Sequence, residues 1–216
     1  QNKRDFGFVI SDESKMAMDI YVPKKKINGA KNGQKVVVKI EKWPEANKKP
    51  EGRIIEILGY PEDPHVDILS VAAGLELPME FSKAALSQAK NIPQEVSEKD
   101  IKNRKDLRDL VTFTIDGADS KDFDDAVSLE MAKNGNYILG VHIADVSHYV
   151  EEYSPIDEEA FERGNSVYLL NKVIPMLPFE LSNGICSLNE GVDRLTLSVL
   201  AEINKDGEVI KYDSVE

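Results

Sequence analysis

Thr114-Ile-Asp-Gly-Ala-Asp-Ser-Lys-Asp-Phe-Asp-Asp-Ala126 carries five carboxylates, Asp116, Asp119, Asp122, Asp124 and Asp125, within ten residues. Apolar, strand-forming sequence lies on either side, at residues 110–115 and 126–129. Two carboxylates 4 Å apart repel by roughly 1 kcal/mol in water and about 4 kcal/mol at the effective dielectric of a protein surface. A loop this acidic between two strands therefore calls for a positive partner. Hard oxygen donors at short spacing suit Mg²⁺ or Mn²⁺ better than zinc. The alternative is an acidic loop that is simply solvated.

A calcium EF-hand does not fit. A twelve-residue loop started at Asp116 puts Ala118 at position three, Lys121 where glycine is required and Val127 where the bidentate Glu belongs. Started at Asp119, it puts Lys121 at position three and Phe123 at position five.

The 216 residues, 41% apolar, are enough for one large or two modest domains with real cores. No apolar run approaches the roughly 20 residues of a membrane helix, and neither a membrane partner nor a signal peptide is expected. One cysteine, Cys186, cannot form an intramolecular disulfide. A reducing, cytoplasmic location is the expectation, with Cys186 itself a small core residue in Gly184-Ile-Cys-Ser-Leu188. The chain opens on Gln1 rather than Met and is expected to be a piece of something longer.

The net charge of −12 hides a division. Residues 1–58 hold 13 Lys and Arg against 8 Asp and Glu, a balance of +5; residues 59–216 hold 14 against 31, a balance of −17. A mildly basic binding module beside an acidic, cation-dependent one fits that split. Acidity for solubility alone is the duller reading.

The basic part reads as short strands at residues 6–10, 18–22, 36–40 and 52–57, with Asn28-Gly29 and Asn32-Gly33 as turns. That is the pattern of a small barrel of the five-stranded OB type, whose face binds oligonucleotides through aromatic platforms and basic residues. Phe6, Phe8 and Tyr21 are the candidate platforms; Arg4, Lys24, Lys25 and Lys26 are the candidate phosphate contacts. Alternatively the rings are core and the lysines plain surface.

Pro61, Pro64 and Pro78 punctuate a connector over residues 60–79. A helix follows over residues 80–89. Ser97-Glu-Lys-Asp100 reads as a capping box opening another helix that runs to about Leu110. Strands return at residues 111–115, 126–131, 137–144 and 195–203, with Asn134-Gly135 as a hairpin turn. The spacing of His142, Asp145 and His148 also leaves a zinc reading open.

Asp116-Gly-Ala-Asp-Ser-Lys-Asp-Phe-Asp-Asp-Ala126, then His142-Ile-Ala-Asp-Val-Ser-His-Tyr149, Ser166-Val-Tyr168, and Ile174-Pro-Met-Leu-Pro178 with Leu181-Ser-Asn-Gly-Ile-Cys-Ser-Leu188 occur in this order within about 75 residues. Together they resemble the catalytic domain of the ribonuclease II/ribonuclease R (RNB) exoribonuclease family, in phrasing closer to its ribonuclease R branch. Phe6-Gly-Phe-Val9 and Asp19-Ile-Tyr-Val-Pro23 resemble the second cold-shock domain that precedes that catalytic domain.

The resemblance implies an α+β protein: a cold-shock-like OB barrel plus linker over residues 1–79, then the N-terminal part of a mixed α/β catalytic domain over residues 80–216. It implies processive 3′-to-5′ hydrolysis of RNA to nucleoside 5′-monophosphates. The substrate is the 3′ end of single-stranded RNA, with structured RNA as a further class. The family's four catalytic, metal-holding aspartates fall on Asp116, Asp122, Asp124 and Asp125, for Mg²⁺ or, in its place, Mn²⁺. Asp119 is left as a bystander, and Tyr168 falls on an aromatic that stacks on a base near the 3′ end, against the alternative of a core tyrosine. Strand 137–144 becomes scaffold rather than a zinc site. The family's later Arg-rich motif and S1 domain have no counterpart before Glu216, so a fragment with little or no activity of its own is expected. The rival expectation is a non-catalytic RNA-binding protein with a degenerate nuclease domain.

Overall fold

The computed structural model describes residues 6–12, 18–44, 49–170 and 172–216. The chain divides into two compact units, one of residues 1–79 with 169–172, the other of residues 80–168 with 173–216.

In the first unit β1 (Phe6–Val9) and β2 (Ile20–Pro23) pair antiparallel, with Phe8 opposite Tyr21 and Gly7 opposite Val22. A short 3₁₀ turn, Lys24–Lys26, and the Asn28-Gly29 turn lead to β3 (Lys35–Lys42), which pairs with β4 (Glu51–Gly59) through three register shifts. Asn28 and Gly29 both adopt positive φ, 54° and 76°, the left-handed pair that favours this dipeptide. The described strands lie in the order β1-β2-β4-β3, four rather than the five expected of a barrel. Period-two alternation sends Ile20, Val22 and Ile54 inward, with Ala30, Val9, Val36, Val38 and Ile40 around them. Gly52 lets β4 pass under this layer, since a Cβ there would stand 2.7 Å from Val38 Cγ1 and 2.8 Å from the Lys39 carbonyl oxygen.

Residues 60–79, expected as a connector, contain helix α1 (Val66–Gly74). Its N-cap, His65, sits at φ 72° and offers no side-chain cap, and Pro61 and Pro64 precede it. The helix lacks the start signal by which helices are read.

The second unit opens with α2 (Lys83–Ala89), where Ser82 Oγ accepts from Ala85 N at 3.1 Å. The Ser97–Asp100 capping box forms as read, yet α3 (Glu98–Ile101) stops after one turn instead of running to Leu110. Long-range partners take over: Arg104 goes to Asp145, and Lys105 N donates to the Glu216 carbonyl at 2.7 Å.

Strands β5 (Thr112–Phe113), β6 (Asp125–Met131) and β7 (Tyr137–Ala144) follow, then α4 (Val146–Tyr149) and α5 (Pro155–Arg163). A small hairpin, β8 (Val167–Leu169) with β9 (Lys172–Ile174), comes next. After a wide helical turn, Glu180–Ile185, the chain ends with β10 (Thr196–Ile203) and β11 (Val209–Val215). The five-stranded sheet runs β11-β10-β7-β6-β5, antiparallel throughout. Ala85, Ala89, Ala144, Ile156, Leu181, Ile185 and Cys186 form the core. Burial pushes the Cys186 thiol up to about 12, an inert core cysteine as expected.

The sheet is inverted in polarity. Ser128, His142, Ser198 and Glu202 on one face are buried, while Leu129, Met131, Ile143, Leu197 and Val199 on the other are exposed. The buried His142 bridges two strands, Nε2 at 2.9 Å from Ser128 Oγ and Nδ1 at 2.9 Å from Ser198 Oγ. Burial holds its pKa below the ordinary histidine value.

Candidate functional site

The acidic loop joins β5 to β6, and its backbone is tied down from three places. Ser120 N donates to the Gly117 carbonyl at 3.0 Å, closing a turn at the start. Ser187, fully buried, donates its hydroxyl to the Lys121 carbonyl at 2.8 Å and accepts from Phe123 N at 3.1 Å. Leu188 N donates to the Phe123 carbonyl and Ala144 N to the Asp124 carbonyl, each at 2.9 Å. The segment Leu181–Leu188 is thus the clamp that shapes the loop. Sequence reading singled out that segment as a motif but missed Ser187, because its role is to meet main-chain groups more than sixty residues away.

The geometry separates the five aspartates. Asp124 has its carboxyl held above the ordinary carboxylate range, first by crowding from protein atoms, then by the charges of Asp122, Asp125 and Asp116. Its side chain nevertheless stays in contact with solvent, so the desolvation is local and solvent screens part of the repulsion. Asp119, also exposed, is not among the charges that act on it. Asp122 is half-buried and accepts a hydrogen bond from the Tyr168 hydroxyl. That bond, and then local crowding of the hydroxyl, pushes the Tyr168 phenol up to about 12. Tyr168 is 63% exposed, so it is no core tyrosine.

Among the described residues no three His, Cys, Asp or Glu side chains are already converged in the manner of a metal site. The donors nevertheless fit a hard divalent cation: four carboxylates on one pinned loop, electrostatically coupled, with repulsion that a cation would relieve. The zinc reading of His142, Asp145 and His148 fails on geometry. His142 is spent on two serines. Asp145 caps α4, taking Ser147 Oγ at 2.7 Å and Arg104 Nη2 at 2.5 Å, while His148 stands 3.4 Å from Asp100. Burial alone would raise the Asp145 pKa, but the bonds from Ser147 and Arg104 outweigh it and hold the group ionised.

In the first unit Phe6, Phe8 and Tyr21 face away from the core residues Gly7, Ile20 and Val22. They form one partly exposed cluster, with ring centroids 5.5, 5.7 and 6.0 Å apart. Lys49 Nζ lies 4.5 Å from the Phe8 centroid and 2.9 Å from Asp19, a cation that sequence reading did not single out. Lys24 and Lys25 are exposed on the 3₁₀ turn. Lys26 is engaged, 2.8 Å from Glu41 and 2.7 Å from Glu51, which raise its pKa and already balance its charge. Arg4 lies outside the described residues.

The RNB domain matches residues 104–216 and a cold shock domain matches residues 8–82. Ribonuclease R of Thermotoga maritima is 56% identical over 214 residues, 98% of this chain but 30% of that protein. Two structures of Mycoplasma genitalium RNase R, in complex with double-stranded RNA and with ribose-methylated single-stranded RNA, give TM-scores of 0.88 and 0.87. Their identities are 28% and 26%, and the alignments cover 98% of this chain against 38% and 34% of theirs. The chain thus spans only about a third of the length of these relatives.

Proposed function

The chain belongs to the RNB-domain family, and on that footing we propose that it is part of a cytoplasmic 3′-to-5′ exoribonuclease that releases nucleoside 5′-monophosphates. Asp116, Asp122, Asp124 and Asp125 would hold Mg²⁺, or Mn²⁺ in its place. When bound, such ions supply hydroxide at neutral pH and neutralise charge on the scissile phosphate and leaving oxygen. The chain's own residues provide the rest. Ser187 and Leu188 fix the backbone that carries the carboxylates, and the carboxylates act as ligands without competing as nucleophiles. The exposed Tyr168 ring would stack on a base near the 3′ end, and the Phe6, Phe8 and Tyr21 cluster on bases elsewhere along the strand. Stacking is indifferent to sequence, as a degradative enzyme requires.

One observation carries this reading: Asp122, Asp124 and Asp125 follow one another on a loop whose backbone is pinned at Lys121, Phe123 and Asp124 by Ser187, Leu188 and Ala144. The substrate in this reading is the 3′ end of single-stranded RNA, with structured RNA as a second class. By itself the 216-residue chain should hydrolyse RNA weakly or not at all, since it covers so small a share of its relatives. The test is Asp124→Asn in the full-length protein. It should abolish hydrolysis while leaving RNA binding nearly intact, and Asp119→Asn should be far milder. Near-normal turnover of Asp124→Asn would overturn the assignment, and an unaltered protein that binds RNA without cutting it would establish the non-catalytic reading instead.

A further inference from the structure

The Tyr168 hydroxyl donates a hydrogen bond to Asp122 Oδ2. Tyr168 stands on β8, and Met176 N donates to Ser166 Oγ at 3.0 Å, which ties the residue before β8 to the segment after β9. A phenol has one proton to give, and here it goes to the carboxylate oxygen.

Met176 follows the buried Ile174 and Pro175 at the end of β9, and the Pro175 carbonyl accepts from Arg163 Nη1 at 3.2 Å, so the support of β8 is fixed. Asp122, by contrast, is on a loop whose pinned groups are main-chain atoms of Lys121, Phe123 and Asp124. Its side chain is also the foremost charge acting on Asp124. Without a donor, mutual repulsion would swing it away from its neighbours.

From this geometry we infer that Tyr168 is a positioning residue for cation capture: its hydroxyl holds one oxygen of Asp122 and leaves the other for the ion. The inference rests on the reading of the aspartates as a metal site. It assigns the phenol a task separate from that of the ring. A carboxylate ligand oriented by a second hydrogen-bonded group typically loses 10- to 100-fold in metal affinity when that group is removed.

The experiment titrates Mn²⁺ into the protein by electron paramagnetic resonance, with melting temperature and metal-free binding of single-stranded RNA measured beside it. Tyr168→Phe keeps the ring and removes the hydroxyl. It should weaken Mn²⁺ binding by about 10- to 100-fold with melting temperature unchanged. Tyr168→Leu should lose RNA affinity as well. Mn²⁺ binding by Tyr168→Phe that is unchanged or tighter overturns the inference. In that case loss of Mn²⁺ binding in Asp124→Asn would show that the metal site itself stands. If the unaltered protein takes up no Mn²⁺, both readings fall together.

Discussion

Asp124 is stressed by its neighbours, and that has a measurable sign. Its folded pKa is raised by burial and by three carboxylates. The native state therefore binds its proton more tightly than the unfolded chain does, and stability is lost as pH rises from the ordinary carboxylate range through the raised value. In a metal-free protein Asp124→Asn should remove that loss. It should be as stable as the unaltered chain at low pH and more stable near neutrality, by less than about 1 kcal/mol once solvent screening is allowed for. Thermal melts across the acid range in chelator check this, and an Asp124→Asn variant that melts lower at neutral pH would contradict it. Ser187→Ala makes the opposite case. It removes two partly buried hydrogen bonds, to the Phe123 amide and the Lys121 carbonyl, each worth about 0.5–1.5 kcal/mol. The melting temperature should fall, and Mg²⁺ should raise it less than it does in the unaltered chain. The aspartates were legible in the sequence because ligand chemistry is local and five carboxylates in ten residues demand an explanation. Ser187 was not, because a serine that serves backbone groups across the fold leaves no local mark.

Elements were legible where they carry their own signals. The Ser97 capping box, the Asn28-Gly29 turn and the alternating strands β7 and β10 all formed where their residues placed them. Signals failed where distant partners decide. α3 stops early because Arg104 and Lys105 find long-range partners, and α1 begins at a histidine with no cap behind two prolines. Which face of the sheet would be buried was equally hidden, since its apolar side lies outward. Gly140 shows how tightly the inward side is set. It faces Ser128 across β6 and β7, and a Cβ there would stand 2.2 Å from Ser128 Oγ and 2.6 Å from His142 Nε2. Gly140→Ala must break the serine–histidine bridge or shift a strand, and overpacking of this kind costs typically about 1–3 kcal/mol. Pairing it with Ser128→Ala removes the Ser128 part of the clash and leaves the His142 ring room to turn, and should recover part of the melting temperature. No recovery in the double variant would place the strain elsewhere.

At the scale of the whole molecule the two halves should answer salt in opposite directions. RNA binding that uses phosphate contacts weakens as salt rises, with a slope of about 0.7 per contact on single strands. Lys24→Ala with Lys25→Ala should flatten the slope, whereas Lys26→Ala should change it less, because Glu41 and Glu51 already balance that charge. Phe8→Ala should instead lower affinity at every salt concentration, by roughly 1–3 kcal/mol if its ring stacks. The sheet of the second unit behaves otherwise. Leu129, Met131, Ile143, Leu197, Val199 and Tyr212 are all exposed, and register places them on one face. A contiguous apolar face of that kind drives association, opposed in this chain by a net charge of −12 that salt screens. The chain should therefore associate with itself more strongly as ionic strength rises, and most strongly in sulfate, which enhances apolar burial. Leu129→Lys with Val199→Lys should hold the mass measured by sedimentation at that of a monomer while leaving the melting temperature nearly unchanged, since both side chains are already in water. A monomeric mass for the unaltered chain at all concentrations in sulfate would mean that the face is too dispersed to pair.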